Sequence, residues 1–145
     1  MTQEDKELLF QDLCVRLPYH VRCKVWLKDG TTEEGSLDLA HNYADVLRDA
    51  FYYNKIKDIK PYLRPMSSMT EEEKEEIALI RDRDFQSVRK WFRNESIKET
   101  GNICPVTFGE IDYCNKKHLD YRDLISMGLA LEAKEEMYET EKQKN

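Results

Sequence analysis

Two prolines and a helix-start signal divide the chain near its middle. Pro61 and Pro65 each fix their own backbone φ angle and disfavour the α conformation of the residue before them. Residues 60–66 are therefore predicted to be extended or turn-like. Thr70 and Glu73 have the spacing of a capping box, in which each side chain binds the backbone amide of the other residue. This pattern predicts a helix that begins within two residues of Thr70, with strands mainly before it and helices mainly after it.

The first half of the chain has signals for one helix and several strands. Thr2 is a suitable cap for a helix over residues 3–17, which is followed by a proline. Residues 20–28 alternate between apolar and polar side chains, as in a half-buried strand. Residues 51–59 have the pattern of a third strand that leads into the prolines. Residues 41–50 are compatible with either a short helix or a loop.

The Asp29-Gly30 turn decides how the first two strands pair. A two-residue turn would leave Leu37 on the opposite face from Cys23, and the apolar side chains of the two strands would then not share a face. One extra residue in the second strand would bring Leu37 opposite Cys23, and Gly35 is suited to such a bulge. We therefore expect a bulge or a longer loop instead of an ideal hairpin.

The second half of the chain is predicted to be mainly helical. Apolar residues at helical spacing extend from residue 70 to about residue 92, and residues 82–84 are a point where this helix could bend or split. A polar loop is expected over residues 94–107. A further helix is expected over residues 108–119, because its apolar side chains again follow helical spacing.

The end of the chain completes the predicted fold. Asp120 is a suitable cap for a short helix that ends at Gly128. Residues 134–145 are mostly charged or polar and are expected to be a charged tail, either a frayed helix or disordered. The fold class is α+β in a single domain over residues 1–133: an N-terminal helix, a small twisted antiparallel sheet, and C-terminal helices packed on it. An SH3-like or Sm-like barrel is one arrangement of such a sheet.

Composition limits the classes of function. The chain of 145 residues has a formal net charge of −6, which argues against a general nucleic-acid binder because phosphate contacts need a basic surface. No apolar run reaches the roughly 18 residues of a membrane span, and the first residues lack the layout of a signal peptide. The four cysteines lie apart among apolar neighbours, as reduced core residues do. We therefore expect a cytoplasmic protein that does not bind membranes.

The sequence contains no recognisable catalytic or metal site. Cys114 and His118 are four residues apart on a predicted helix, with Cys104 nearby, but there is no Cys-x-x-Cys pair and a fourth zinc ligand is missing. Packing in the core explains the same spacing. No serine or cysteine has a local nucleophile signature, and the five glycines do not form a phosphate-binding loop. We therefore expect no enzyme activity, no cofactor and no bound metal.

Three stretches of the sequence are similar to a known group of proteins. The stretches read LLFQDLCVRLPY at Leu8–Tyr19, DIKPYLRPMSSMTEEE at Asp58–Glu73, and DYRDLISMGLALEA at Asp120–Ala133. In these motifs the chain resembles small uncharacterised proteins encoded by gut Bacteroidales and by their phages or mobile elements. The resemblance implies a compact intracellular protein. It implies no activity, cofactor or catalytic residue.

Aromatic and basic side chains indicate the candidate binding surface. The first hypothesis is a non-catalytic binding or accessory protein that contacts an unknown protein partner or associates with itself, since Trp, Tyr and Arg are typical of interfaces. The alternative is a nucleic-acid-binding module that uses the basic and aromatic stretch at residues 52–64. Trp26 is expected on the outer face of the sheet, either exposed or covered by a later helix. The candidate residues are Trp26, Tyr52, Tyr53, Lys55, Lys57, Tyr62 and Arg64.

Overall fold

A computed structural model describes residues 2–37, 56–92 and 107–138, including the side chains of these residues except 87–92. The helices and strands are α1 (Gln3–Arg16), β1 (Arg22–Leu27), β2 (Thr32–Ser36), β3 (Ile56–Leu63), α2 (Glu71–Phe92), α3 (Phe108–Lys116) and β4 (Leu131–Glu132). Single turns of 3-10 helix lie at Leu17–Tyr19 and Met66–Ser68. The strands form one sheet in the order β2-β1-β3-β4. The α+β class is confirmed, but the sheet is mixed, because β4 pairs parallel to β3.

α1 begins as its sequence predicts. The Thr2 hydroxyl accepts a hydrogen bond from the Asp5 amide at 3.0 Å, and the Asp5 carboxylate accepts one from the Thr2 amide at 3.3 Å. Leu9 and Leu13 are fully buried on one side of the helix, where they pack against the sheet. The helix ends at Arg16, one residue earlier than expected, because the chain tightens there into the 3-10 turn.

The hairpin between β1 and β2 has a longer loop and no bulge in β2. The strands pair without interruption from Arg22–Ser36 to Trp26–Thr32. The extra residue lies in the three-residue loop, where Gly30 has a φ of 91° that favours glycine. The Leu37 amide donates to the Val21 carbonyl at 2.8 Å, so Leu37 lies opposite Val21 and not opposite Cys23. An extra residue in the loop puts Leu37 on the same face as Cys23, just as an extra residue in β2 would. The shared apolar face was therefore predicted correctly, whereas the pairing register was not.

The proline segment is extended, as predicted. β3 continues through Pro61, which lies opposite Cys23, and the strand ends only at Leu63. After the second 3-10 turn, α2 begins at Glu71 with the predicted capping box. The Glu73 amide donates to the Thr70 hydroxyl at 3.1 Å, and the Thr70 amide donates to the Glu73 carboxylate at 3.0 Å. α2 is continuous through residues 82–84.

α2 packs chiefly against α3 rather than across the sheet. The Gly109 amide of α3 donates to the Asp84 carboxylate of α2 at 3.1 Å, and Arg81 forms an ion pair with the buried Glu110 at 2.7 Å. This packing buries an apolar cluster that is separate from the one between α1 and the sheet. The second cluster consists of Met69, Ile77, Tyr113, Cys114 and Leu119.

The segment after α3 differs from its prediction. The Asp120 carboxylate accepts hydrogen bonds from the Leu124 amide at 2.8 Å and the Ile125 amide at 2.9 Å. These bonds span four and five residues, whereas a helix cap binds amides two or three residues ahead. The expected short helix is therefore replaced by a series of turns. Gly128, with a φ of 76°, ends these turns just before β4.

Residues 131–138 form a segment that we name the C-terminal strap. The Ala133 amide donates to the Leu63 carbonyl at 2.7 Å, which extends the pairing between β4 and β3. The Tyr138 hydroxyl accepts from the Arg22 amide and donates to the Tyr62 carbonyl, both at 2.8 Å. The structure therefore differs from the expected tail over residues 134–138, because Tyr138 anchors this part of the chain to the end of the sheet.

Some predictions concern other parts of the chain. Residues 41–50, the start of the predicted third strand at 51–55, and almost all of the predicted loop at 94–107 lie outside the described residues. The SH3-like or Sm-like arrangement stays a prediction, since residues 38–55 join β2 to β3. Within the part of the chain that is described, no helix is both long enough and apolar enough to cross a membrane.

Candidate functional site

The two faces of the sheet have different side chains. The inner face carries Val21, Cys23, Leu37, Ile59 and Leu63, which share one buried cluster with Leu9 and Leu13 of α1. Side chains alternate between the two faces along each strand, so the residues between these inner positions point to the outer face. Neither apolar cluster includes any of these outer side chains. The outer face consists of Arg22, Lys24, Trp26, Thr32, Glu34, Ser36, Asp58, Lys60 and Tyr62.

Trp26 is the centre of the outer face. Its side chain is half-buried, and two ammonium groups lie over its indole ring. The distances from the ring centroid are 5.3 Å to Lys24 Nζ and 5.7 Å to Lys60 Nζ. Both contacts have the geometry of cation–π interactions, each worth about 0.5–1 kcal/mol at an exposed site. The tryptophan therefore holds two positive charges side by side.

Lys24 and Lys60 lie directly opposite each other on β1 and β3. Like charges at such positions repel and destabilise a sheet. Among the described residues, no carboxylate lies within ion-pair distance of either ammonium group. The indole ring attracts both ammonium groups, and Glu34, which lies opposite Lys24 on β2, attracts Lys24 from beyond ion-pair distance.

A hydrogen-bonded group lies beside Trp26. The Tyr62 hydroxyl donates to the Glu34 carboxylate at 2.5 Å, and Lys134 Nζ of the strap is 3.8 Å from the same carboxylate. Burial and this hydrogen bond raise the pKa of Tyr62 to about 12, and the same bond lowers the pKa of Glu34. The ring of Tyr62 is buried, with Lys134 over it at 5.6 Å. Tyr62 therefore supports the face and does not offer an open ring.

Arg64 has a structural position. Its guanidinium donates to both carboxylate oxygens of Glu73, at 2.9 Å and 2.7 Å. Burial alone would raise the pKa of Glu73, but the hydrogen bonds from Arg64 and Thr70 outweigh it and hold that pKa at about 2. The Arg64 backbone accepts from the Asp120 amide at 2.8 Å and donates to the His118 carbonyl at 2.7 Å. Arg64 thus joins the end of β3 to the start of α2 and to the segment after α3.

A second group of polar side chains lies inside the molecule. Asp12 and Arg16 of α1 are fully buried and form an ion pair at 2.9 Å, and Arg16 also donates to the Leu119 carbonyl at 2.7 Å. His118 stacks on Tyr138 of the strap, with ring centroids 3.8 Å apart. Burial and the nearby cations lower the pKa of His118 to about 3. These contacts connect α1, the segment after α3, and the strap.

The positions once considered for zinc have other partners. Cys114 lies in the second apolar cluster, and His118 stacks on Tyr138 as just described. In the described ranges, no three His, Cys, Asp or Glu side chains are grouped so that they could hold a metal ion. Cys104 lies outside those ranges.

The structure brings together only part of the candidate surface. Trp26 and Tyr62 share the outer face, Lys57 is exposed at the bulge opposite the end of β1, and Arg64 is held by Glu73. Tyr52, Tyr53 and Lys55 lie outside the described residues. Lys60 belongs to the basic and aromatic stretch predicted at residues 52–64, but its position beside Trp26 was not predicted. The sequence reasoning missed Lys24, Glu34 and Lys134. Lys24 could have been found because it lies two residues before Trp26 on the same strand, whereas the other two depend on strand register and on the position of the strap.

Comparisons with protein-family models, with curated proteins and with solved structures find no match to this chain. The resemblance to the Bacteroidales and phage group therefore stays a prediction, and the geometry of the outer face is the basis for a function.

Proposed function

We propose that this protein is a non-catalytic binding protein that contacts another protein through the outer face of its sheet. The observation that carries the proposal is the half-buried Trp26 under the two ammonium groups of Lys24 and Lys60. These side chains belong to neither apolar cluster, so the packing of the fold does not account for them.

The residue types on this face support a protein interface. Tryptophan is enriched among the residues that dominate binding energy, because a large rigid ring buries much apolar area at a low cost in side-chain entropy. The lysine stems beside the ring add further apolar surface. The polar side chains of Thr32, Glu34 and Ser36 surround this centre on the exposed strand β2. A partly apolar centre with a polar rim is the usual layout of a protein interface.

A nucleic-acid-binding module is the second candidate, favoured by the basic and aromatic side chains on one sheet face. Two observations count against it. Tyr62, one of the rings proposed for stacking, is buried, and a base that stacks on the ring of Trp26 from the lysine side would have to displace both ammonium groups.

The resemblance described above supports a role as an accessory protein of a phage or mobile element. A cytoplasmic location is part of the same proposal. Both statements stay predictions.

Site-directed photo-crosslinking tests the proposed interface. A photoreactive amino acid at Thr32, which lies opposite Trp26 and is exposed, would be activated in native lysate. The control position is Leu79 on α2, whose side chain is 70% exposed. We expect a discrete protein adduct from position 32 that is absent from position 79 and is lost in the Trp26→Ala variant. An adduct from both positions, or one that is unchanged by Trp26→Ala, would contradict the proposal.

Self-association is measured with the same variants. Sedimentation velocity of the purified protein over a range of concentrations would show whether the adduct is a second copy of this chain. Circular dichroism would verify that Trp26→Ala and the crosslinker variants keep the native secondary structure.

A further inference from the structure

We infer that the outer face binds an acidic, extended segment of its partner, whose carboxylates pair with Lys24 and Lys60. This inference rests on the proposed function and adds the chemistry of the partner to it. Three features of the outer face support it: a pair of like charges without an ion-paired carboxylate, a local excess of positive charge, and a spacing that suits an extended peptide.

The pair of like charges is the first feature. Lys24 and Lys60 are cross-strand neighbours, and the described residues supply no carboxylate within ion-pair distance of either. The chain has 29 acidic residues against 23 basic ones, so acidic side chains are in excess overall. The repulsion between the two lysines is unfavourable in the unbound protein and would be relieved by anionic groups from outside.

The local charge is the second feature. Four cationic side chains, those of Arg22, Lys24, Lys60 and Lys134, surround the centre of the outer face. They outnumber the two carboxylates of the face, Glu34 and Asp58, which keep their negative charges because their hydrogen-bond donors are neutral groups. Lys134 lies 3.8 Å from Glu34, so the excess of positive charge is greatest at Lys24 and Lys60. A positive patch on a protein of net charge −6 favours an acidic partner by local complementarity.

The spacing is the third feature. The strands that carry Lys24 and Lys60 are adjacent, so their backbones are about 4.8 Å apart. Alternate residues of an extended peptide project to the same side at a spacing of about 6.6–6.8 Å. The flexible lysine stems can span this difference. An apolar residue of the same segment would then lie against the lysine stems beside Trp26.

The two ammonium groups are also held in place before binding. Their contacts with the indole ring limit the motion of two long side chains. A partner then loses less side-chain entropy when it binds them than it would on two unrestrained lysines. A single strand bound by base stacking would need an open ring in addition to these charges, whereas a peptide carboxylate needs only the ammonium groups. The observations therefore favour the acidic peptide.

NMR titration with synthetic peptides tests the inference. The probe is a short peptide in which glutamate alternates with small residues and one phenylalanine, and the matched control has glutamine in place of every glutamate. The readout is the indole N–H signal of Trp26, distinguished from that of Trp91 with the Trp26→Phe variant. We expect the glutamate peptide to shift this signal, the glutamine peptide to leave it unchanged, and added salt to weaken the effect.

Charge variants make the result specific. Lys24→Gln or Lys60→Gln should each weaken binding of the glutamate peptide by about threefold, and the double Lys24→Glu, Lys60→Glu variant by at least about tenfold. Lys116→Gln is the matched control, because Lys116 is an exposed lysine on α3. It should leave the affinity unchanged.

The possible outcomes separate this inference from the proposed function. If the glutamate peptide does not shift the Trp26 signal, or if the glutamine peptide shifts it equally, the acidic partner is wrong. A crosslink from position 32 that still depends on Trp26 would then continue to support the proposed protein interface. If an oligothymidylate shifts the Trp26 signal at concentrations where the glutamate peptide does not, the acidic partner is wrong and the outer face is a nucleic-acid site.

Discussion

Replacing His118 by asparagine is expected to remove most of the acid sensitivity of this fold between pH 6.5 and pH 5. His118 is buried and stacks on Tyr138. Burial, followed by the positive charges of Arg16 and Arg64, lowers its pKa from the ordinary 6.5 to about 3. His20 and Lys117 act in the same direction, so burial and these four positive charges all oppose protonation of the ring.

The sign of the effect follows from proton binding in the two states. Below pH 6.5 the unfolded chain protonates His118, whereas the folded protein does so only near pH 3. The stabilising contribution is therefore complete above pH 6.5 and is lost progressively as the pH falls toward 3. Each pH unit in this window removes about 1.4 kcal/mol from the free energy of unfolding. From pH 6.5 to pH 5 the expected loss is about 2 kcal/mol.

Urea unfolding at several pH values, followed by circular dichroism, measures this loss. Asparagine suits the position because the φ of His118 is 59°, in the left-handed region that asparagine tolerates. The variant will be less stable at pH 7 through loss of the stacked ring, but its free energy of unfolding should change much less between pH 6.5 and pH 5. The measurements stop at pH 5 because the pKa of Glu73 is lowered from its ordinary 4.5 to about 2. Protonation of this carboxylate in the unfolded chain would also lower the free energy of unfolding at more acidic pH.

His20→Asn is the matched control. His20 also has a positive φ, of 56°, but its side chain is exposed. This variant should keep the pH dependence of the wild-type protein. If His118→Asn showed the same loss of stability between pH 6.5 and pH 5 as the wild type, the buried neutral histidine would not be the cause, and the reasoning would be refuted.

Three further substitutions test the contacts that join the parts of the fold, each by urea unfolding at pH 7. Tyr138→Phe removes the hydroxyl that bridges β1 and β3. It should lower the free energy of unfolding by about 1–2 kcal/mol, because the Arg22 amide and the Tyr62 carbonyl lose their hydrogen-bond partner. An unchanged urea midpoint would contradict the bridge. Arg64→Ala should cost about 3 kcal/mol by leaving the buried Glu73 carboxylate uncompensated, and adding Glu73→Gln should recover part of that loss. Gly109→Ala should cost about 1–3 kcal/mol, because the new methyl group would overlap Asp84 where α2 and α3 meet; no loss would mean that the helices are further apart.

The local features of the fold were predictable because they depend on residues within one turn of each other. The cap at Thr2 and the capping box at Thr70 are examples, since each depends on a hydroxyl and on residues within three positions of it. The alternation in β1 predicted which side chains share a face for the same reason. Trp26 was placed on the outer face by this argument.

The remaining features depend on pairings between distant parts of the chain. Lys60 lies beside Trp26 only because β3 pairs with β1 in one particular register, and many registers satisfy the same apolar pattern. The stacking of Tyr138 on His118 likewise has no local signal, since an isolated tyrosine in a charged stretch is typical of a tail. The sequence reasoning therefore found Trp26 and Tyr62 of the outer face but not the arrangement of charges around them.

The bridge made by Tyr138 also has a consequence for synthesis on the ribosome. The pairing of β1 with β3 ends at Cys23 and Pro61, and the Tyr138 hydroxyl joins the next residue of each strand. These two groups, the Arg22 amide and the Tyr62 carbonyl, are 116 and 76 residues earlier in the chain. A nascent chain that has released all three N-terminal strands still lacks the group that closes this end of the sheet. Such late, long-range closure is entropically costly and slow. Until Tyr138 has left the exit tunnel, the open ends of β1 and β3 would be exposed to chaperones and to neighbouring nascent chains.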